Sequence, residues 1–270
     1  MQFINDITTL ISCKTRKIVL AGATVPTNKD IYFKAKQREI LAQYQAARIF
    51  LSETETTDWA HWFSTSSDER NNLAFKKLYE SYFYESALMY YNIIVDLSWT
   101  LCYISAEFAI SNDGERIEFE NCKPIEEAYQ LLRNAENVVV SPTSESNPFA
   151  YLKKVCPDYS RAIKIIIDFW NIFNSSHIRK IYNYCKHKGK PAYEEIEKLR
   201  GEKLFNLSIR FEESEEPVEI ASDVRDVQLV ESLAESIAEL KEFDDRQLFP
   251  YLKALFEELE AVINPSPFVL

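Results

Sequence analysis

The sequence predicts a mainly α fold, a helical bundle with long central helices and at most one small β-hairpin near residues 204–221. Three observations carry this expectation. Only four of the 270 residues are glycine, while 46% are hydrophobic and 13% aromatic, so there is ample material for a core and little of the residue that serves tight turns. Apolar residues recur at three- and four-residue spacing over long runs, as on a helix with one buried face. Strict alternation occurs in one place, where Phe205, Leu207, Ile209 and Phe211 alternate with Asn206, Ser208 and Arg210, the mark of a strand with one buried face.

Taken in order, Ile31, Ala35, Ile40, Leu41, Tyr44, Ala47 and Ile49 define a first helix over Ile31–Leu51, with capping residues in Thr27-Asn28-Lys29-Asp30. A polar stretch, Ser52–Asp58, separates it from the aromatic Trp59-Ala60-His61-Trp62-Phe63. Ser66-Ser67-Asp68-Glu69 then caps a very long apolar-periodic run reaching Ile110, one helix or two joined by a kink. Asn112-Asp113-Gly114 reads as a turn, Pro124 opens a short helix to Asn134, and Ser141–Pro148 is a polar loop. Pro157-Asp158 starts a helix whose residues 162–173 are apolar almost all round, so it should be central. After Asn174-Ser175-Ser176, a second amphipathic helix runs from His177 to Lys188 and is ended by Gly189 and Pro191. Beyond the alternating strand, Glu212–Glu216 is a turn leading to Val218 and Ile220 as the hairpin partner. Asp223–Phe243 and Asp244–Ile263 close the chain as two amphipathic helices. No repeat or linker divides residues 1–270, which read as a single domain.

Composition also limits function. The chain carries a net charge of −11, but unevenly: residues 211–260 hold 4 basic and 16 acidic side chains, whereas Ser176–Lys190 holds five basic side chains and no acid. A local cationic face therefore accompanies an acidic helical segment over 211–264, which either stands apart or covers it. The five cysteines, Cys13, Cys102, Cys122, Cys156 and Cys185, show no C-x-x-C pair and form an odd set, which fits a reducing cytoplasm. Leu10-Ile11-Ser12-Cys13 has the form of a lipoprotein cleavage box, but no cation precedes it and Asn5 and Asp6 interrupt its apolar stretch, so lipidation is not expected. Ala87–Ile110 approaches spanning length, yet Asn92, Asp96, Ser98 and Glu107 punctuate it, so no membrane association is expected.

Phosphate-loop, H-E-x-x-H, G-x-S-x-G and paired-aspartate signatures are absent from the sequence, and neither a cofactor nor a metal is expected. Cys185, His187 and His177 offer three potential ligands, but their spacing and the flanking lysines disfavour zinc. The informative stretch is His177-Ile178-Arg179-Lys180-Ile181-Tyr182-Asn183-Tyr184-Cys185-Lys186-His187-Lys188-Gly189. At about 100° per residue, Ile178, Ile181, Tyr182 and Cys185 share an apolar face, and Arg179, Lys180, Asn183, Lys186 and His187 gather opposite it. An imidazole beside fixed cations and a carboxamide is the minimal equipment for metal-free RNA cleavage. The histidine moves the proton of the ribose 2′-hydroxyl or of the leaving oxygen, and a cation stabilises the charged phosphorane. The same residues also read as an ordinary basic helix face with a histidine in its last turn.

A long apolar helix followed by one carrying Arg179, Asn183 and Lys186-His187-Lys188-Gly189 resembles the HEPN superfamily of all-helical ribonucleases found in bacterial toxin–antitoxin, abortive-infection and CRISPR-associated systems. The resemblance covers residues 70–190. Its motif is an arginine separated from a histidine by four to six residues, usually with a polar residue beside the arginine, whereas seven residues separate Arg179 from His187 here and six separate Lys180 from it. The resemblance implies a metal-independent endoribonuclease or RNA-binding protein. Its catalytic set is His187 with Arg179 or Lys180 and Asn183, and Lys186 and Lys188 contact phosphate. It also implies a homodimer that pairs two motifs face to face, and an antitoxin or regulatory protein as a partner. Asn92 and Asp96, one helical turn apart, are supporting candidates; Asp96 either pairs with Arg179, orients His187, or makes a structural bond between helices. The alternatives are a catalytically inactive, all-helical homodimeric interaction protein and an acidic regulatory or DNA-mimicking protein acting through residues 211–260.

Overall fold

A computed structural model describes residues 18–20, 23–25, 28–56, 67–98, 101, 108–110, 116–118, 160–200, 205–209, 218–222 and 228–263. The first apolar-periodic runs fold as two long helices, α1 (Asn28–Glu53) and α2 (Glu69–Ser98). Asp68 caps α2, its Oδ1 accepting the Arg70 N–H at 2.9 Å and so satisfying one of the orphan donors of the first turn. Two short antiparallel pairs, β1 (Ile18–Leu20) with β2 (Ala23–Val25) and β3 (Phe108–Ile110) with β4 (Arg116–Glu118), flank these helices in sequence. After α3 (Ser160–Phe173), α4 (His177–His187), β5 (Ala192–Tyr193) and α5 (Glu194–Arg200) come the expected hairpin strands β6 (Phe205–Ile209) and β7 (Val218–Ser222). Their register, Leu207 opposite Ile220, matches the partners read from the sequence. β8 (Val230–Glu231), α6 (Leu233–Phe243) and α7 (Phe249–Ile263) complete the described chain, which is mainly α.

Three expectations need correction. The long run does not stay helical to Ile110: α2 is described to Ser98 and Leu101 is helical, but Phe108–Ile110 is a strand paired with Arg116–Glu118. Asp-Gly between two short apolar-containing runs is a hairpin signal, and here it prevails over the helical periodicity. Nor is β6–β7 the one hairpin: the antiparallel pairs β1–β2 and β3–β4 join it, and β5 and β8 form a separate parallel pair. These added strands are two or three residues long, too short to show alternation. Finally, the helix expected from Asp223 begins at Leu233, and Val230–Glu231 ahead of it is a strand. The expected aromatic stretch 59–63, helix 124–134 and loop 141–148 lie outside the described residues.

The chain divides into two compact units, one comprising residues 47–89 and 177–241 and the other residues 2–46, 90–176 and 242–270. In the second, the apolar face of α3 packs on α7. Phe169 stacks on Tyr251 at 3.9 Å between ring centroids, while Phe173 lies 5.5 Å from Phe243. Burying such side chains stabilises by about 1.5–3 kcal/mol each. The fully buried Asp244 accepts the Tyr44 hydroxyl at 2.5 Å, and Ser98 and Tyr251 share a buried hydrogen bond of 2.6 Å. Residues 244–248 form a π-helical turn in which the Phe249 N–H bonds the Asp244 carbonyl. The cause is Pro250, which lacks the N–H that an α-helix would direct at the Arg246 carbonyl.

The first unit buries Leu51, Tyr84, Leu88, Ile178, Ile181, Tyr182, Ile196, Leu233 and Leu240. Glu195 joins its parts: the carboxylate accepts the Leu233 and Ala234 N–H groups at 2.9 and 3.0 Å and the Ser232 hydroxyl at 3.2 Å. It thus caps α6 from α5. Burial raises a carboxyl's pKa, but these bonds outweigh it and hold Glu195 below the usual carboxylate value.

Candidate functional site

Helix α4 places the charged motif by the pattern read from its sequence. Ile178, Ile181 and Tyr182 are buried, whereas Lys180, Asn183, Lys186 and His187 are exposed. The helix ends where the Lys188 and Gly189 N–H groups both bond the Tyr184 carbonyl, at 2.8 and 3.1 Å. Gly189 adopts φ +124°, a backbone region that side chains other than glycine's resist. The chain then turns into Lys190, whose ammonium contacts Glu85 Oε1 at 2.9 Å and Ser81 Oγ at 3.1 Å and lies 4.1 Å from the Tyr82 ring centroid. Tyr193 donates its hydroxyl to the same Glu85 oxygen at 2.9 Å.

These anchors fix β5, and β5 fixes β8 beside α4. Tyr193 pairs with Glu231 in the parallel register, the Ala192 N–H reaches the Leu229 carbonyl at 2.8 Å, and the Leu229 N–H donates to the Tyr184 hydroxyl at 3.2 Å. A groove of about 440 Å³ opens between them, lined by His177, Lys180, Ile181, Asn183, Tyr184, His187 and Lys188 of the α4 segment and by Leu229 and Glu231. Lys180, Asn183 and His187 recur at three- and four-residue spacing, so Lys180 and His187 stand two turns and about 10.5 Å apart along the axis with Asn183 between them.

Of the residues read as catalytic, Lys180, Asn183 and His187 therefore line one groove, together with the phosphate candidate Lys188. Arg179 is not among the lining residues; its guanidinium lies 5.1 Å from the Tyr182 ring centroid on the same helix. Lys186 is exposed, also outside the lining. Asn92 and Asp96 are on α2 in the other unit, Asn92 fully buried and Asp96 partly so.

His177 has a role that the sequence did not suggest. Its Nδ1 lies 2.7 Å from Glu239 Oε2 and its Nε2 3.3 Å from Glu231 Oε2, so one imidazole ties α4 to both α6 and β8. Burial alone would lower its pKa; the Glu239 hydrogen bond and the charges of Glu239 and Glu231 outweigh that and raise it. These partners are 54 and 62 residues away in sequence, and the available local signal was a cation at a helix N-terminus, where the helix dipole disfavours it. Cys185, the other potential ligand, has its thiol pushed up to about 11, by burial first and by the Glu85 charge second. Among the described residues, no group of three or more His, Cys, Asp or Glu is placed to hold a metal ion, and no helix is long and apolar enough to cross a membrane.

Compared with known protein families, with characterised proteins and with solved structures, the chain gives no significant match.

Proposed function

We propose that the protein is a HEPN-like, metal-independent endoribonuclease or RNA-binding protein of the bacterial defence or toxin–antitoxin type, acting through the α4 groove. The observation that carries this reading is the lining of one groove by Lys180, Asn183, His187 and Lys188. In the reaction, His187 takes the proton of a ribose 2′-hydroxyl as its oxygen attacks the adjacent phosphorus, and the 5′-oxygen of the next nucleotide departs and gains a proton. Lys180 stabilises the phosphorane and Asn183 orients the phosphate. Lys180 takes the role that the family motif gives to arginine, since it shares the groove with His187 and Arg179 does not.

The test is cleavage of a labelled single-stranded RNA in EDTA. His187→Ala should lower the rate by about a hundredfold or more, and Lys180→Ala should lower it far more than Arg179→Ala. Absence of turnover with or without divalent ions, together with RNA binding that ignores all three substitutions, overturns the reading.

A second reading, a catalytically inactive homodimeric interaction protein, is favoured by a different feature. Phe75, Tyr82 and Met89 repeat every seven residues on α2 and are 50%, 48% and 37% exposed. This is the spacing of a helix-pairing seam, here with a second copy of the chain. Sedimentation should give a dimer at micromolar concentration that Phe75→Glu with Met89→Glu converts to monomer.

A further inference from the structure

One feature of the groove is at odds with simple phosphate binding: it contains a carboxylate. Glu231 lines the same wall as Lys180, Asn183, His187 and Lys188, where a fixed negative charge repels phosphate. Its ion pair with His177 accounts for one of its oxygens, and toward the groove a carboxylate suits hydrogen bonds from a ligand's neutral donors. Glu231 is held for that purpose, because its backbone is registered against Tyr193 and its Oε2 is tied to His177 Nε2 at 3.3 Å. Each carboxylate oxygen has two acceptor sites, and among the described residues His177 takes one of those of Oε2, so Oε1 and the second site of Oε2 can serve a partner in the groove. Beside it, Tyr184, Ile181 and Leu229 supply the apolar and aromatic wall on which a nucleobase packs.

We infer that the groove binds one nucleotide of single-stranded RNA and selects guanine, with Glu231 as the residue that reads the base. This rests on the RNA reading above and adds base specificity to it. The choice of base follows from edge chemistry. Guanine presents two adjacent donors, N1–H and the N2 amino group, which match the two oxygens of a carboxylate. Adenine and cytosine each offer one amino donor beside a ring-nitrogen acceptor, and uracil offers one N–H between two carbonyls, so all three set an acceptor against Glu231. The cations and His187 then meet the phosphate, and the size of the groove, about 440 Å³, suits one nucleotide. His177 is a positioning residue that holds the Glu231 carboxylate.

The experiment measures binding of the full chain to short fluorescent uridine oligonucleotides carrying G, A, C or U at the centre, by anisotropy in EDTA. The oligonucleotides are 2′-fluoro, so they lack the nucleophile and are not cut. The G oligonucleotide should bind about tenfold more tightly than the other three, within the range expected of a bidentate base contact. Glu231→Gln, which replaces one acceptor with a donor, should bring the four affinities to within about twofold of each other. Lys180→Ala should weaken all four alike. Equal, salt-sensitive binding of all four by the unmodified protein overturns the guanine inference and leaves the RNA reading standing. A G preference that survives in Glu231→Gln removes Glu231 as the reader. Failure to bind any of the four overturns the RNA reading, and the inference with it.

Discussion

Replacing Glu195 tests the packing logic of the first unit, because one side chain there caps another element's helix. Its carboxylate accepts two N–H groups of α6, from Leu233 and Ala234, and the Ser232 hydroxyl, all at 2.9–3.2 Å. Glu195→Ala removes all three bonds and the negative charge at the positive end of the helix dipole. A lost cap costs about 0.5–2 kcal/mol and a lost dipole interaction about 0.3–1 kcal/mol, and partial exposure of the group keeps the total at about 1–2 kcal/mol. Water can replace some of the acceptors, which argues against a larger figure. Glu195→Gln keeps an acceptor and should cost about half as much. Thermal unfolding followed by circular dichroism should show a fall of roughly 2–5 °C for the alanine variant. The pH dependence has a fixed sign. The folded pKa is lowered, so the stabilisation is fully present above the ordinary glutamate value and is lost as pH falls through the depressed one. The gap between wild type and Glu195→Gln should therefore close in acid. An alanine variant as stable as wild type at neutral pH, or a gap that widens in acid, would refute the cap as an energetic feature.

His177→Gln should reduce stability most below about pH 6.5, since a raised imidazole pKa confers stability that is complete below the unfolded value and disappears as pH rises through the folded one; urea midpoints at about pH 6 and about pH 9 measure the two gaps. Tyr44→Phe strips a hydrogen bond from the fully buried Asp244 and should cost about 1–3 kcal/mol by urea denaturation. Gly189→Ala should cost about 1 kcal/mol through backbone strain alone, because an added Cβ meets nothing within 4 Å; the same midpoint shift reads it. Cys185, with its thiol near 11, should alkylate far more slowly at about pH 8 than an unperturbed thiol, as peptide mass spectrometry after iodoacetamide treatment would show.

What the sequence made legible was periodic and local. The faces of α4 were readable because eleven residues give three turns of pattern, and the β6–β7 pair because five alternating residues do the same at period two. The α4 stop was readable from Gly189, whose φ of +124° is the reason glycine stands there. What stayed hidden depended on distance in sequence. Glu231 and Glu239 sit in an acidic stretch like any other until β5–β8 pairing brings one to the α4 groove and α6 brings the other to His177. Which of Arg179 and Lys180 lines the groove was hidden for the same reason. Both project from one polar face, and only the position of β8 determines which side of that face becomes a wall of the groove.

That placement also answers the question raised by the uneven charge. Among the described residues, Glu231 and Glu239 of the acidic segment meet α4 at His177, its first residue, while Lys186, His187 and Lys188 at its other end are exposed. The helix dipole favours this arrangement at both ends, with carboxylates at the first residue of the helix and cations in its last turn. The groove therefore has a polarity, negative near Glu231 and positive from Lys180 to Lys188. A ligand with a uniform negative charge, such as a duplex backbone, would meet repulsion at one end. A single nucleotide carries neutral base donors at one end and phosphate at the other, and so fits both signs at once. On the proposed RNA reading the salt dependence of binding should be shallow: Lys180 and Lys188 are the two lysines that line the groove, and with both on phosphate log K should fall with log salt at a slope of about −1.4, and by about 0.7 less after either lysine is replaced by alanine. A slope several times steeper would mean that the cationic surface at work extends well beyond this groove.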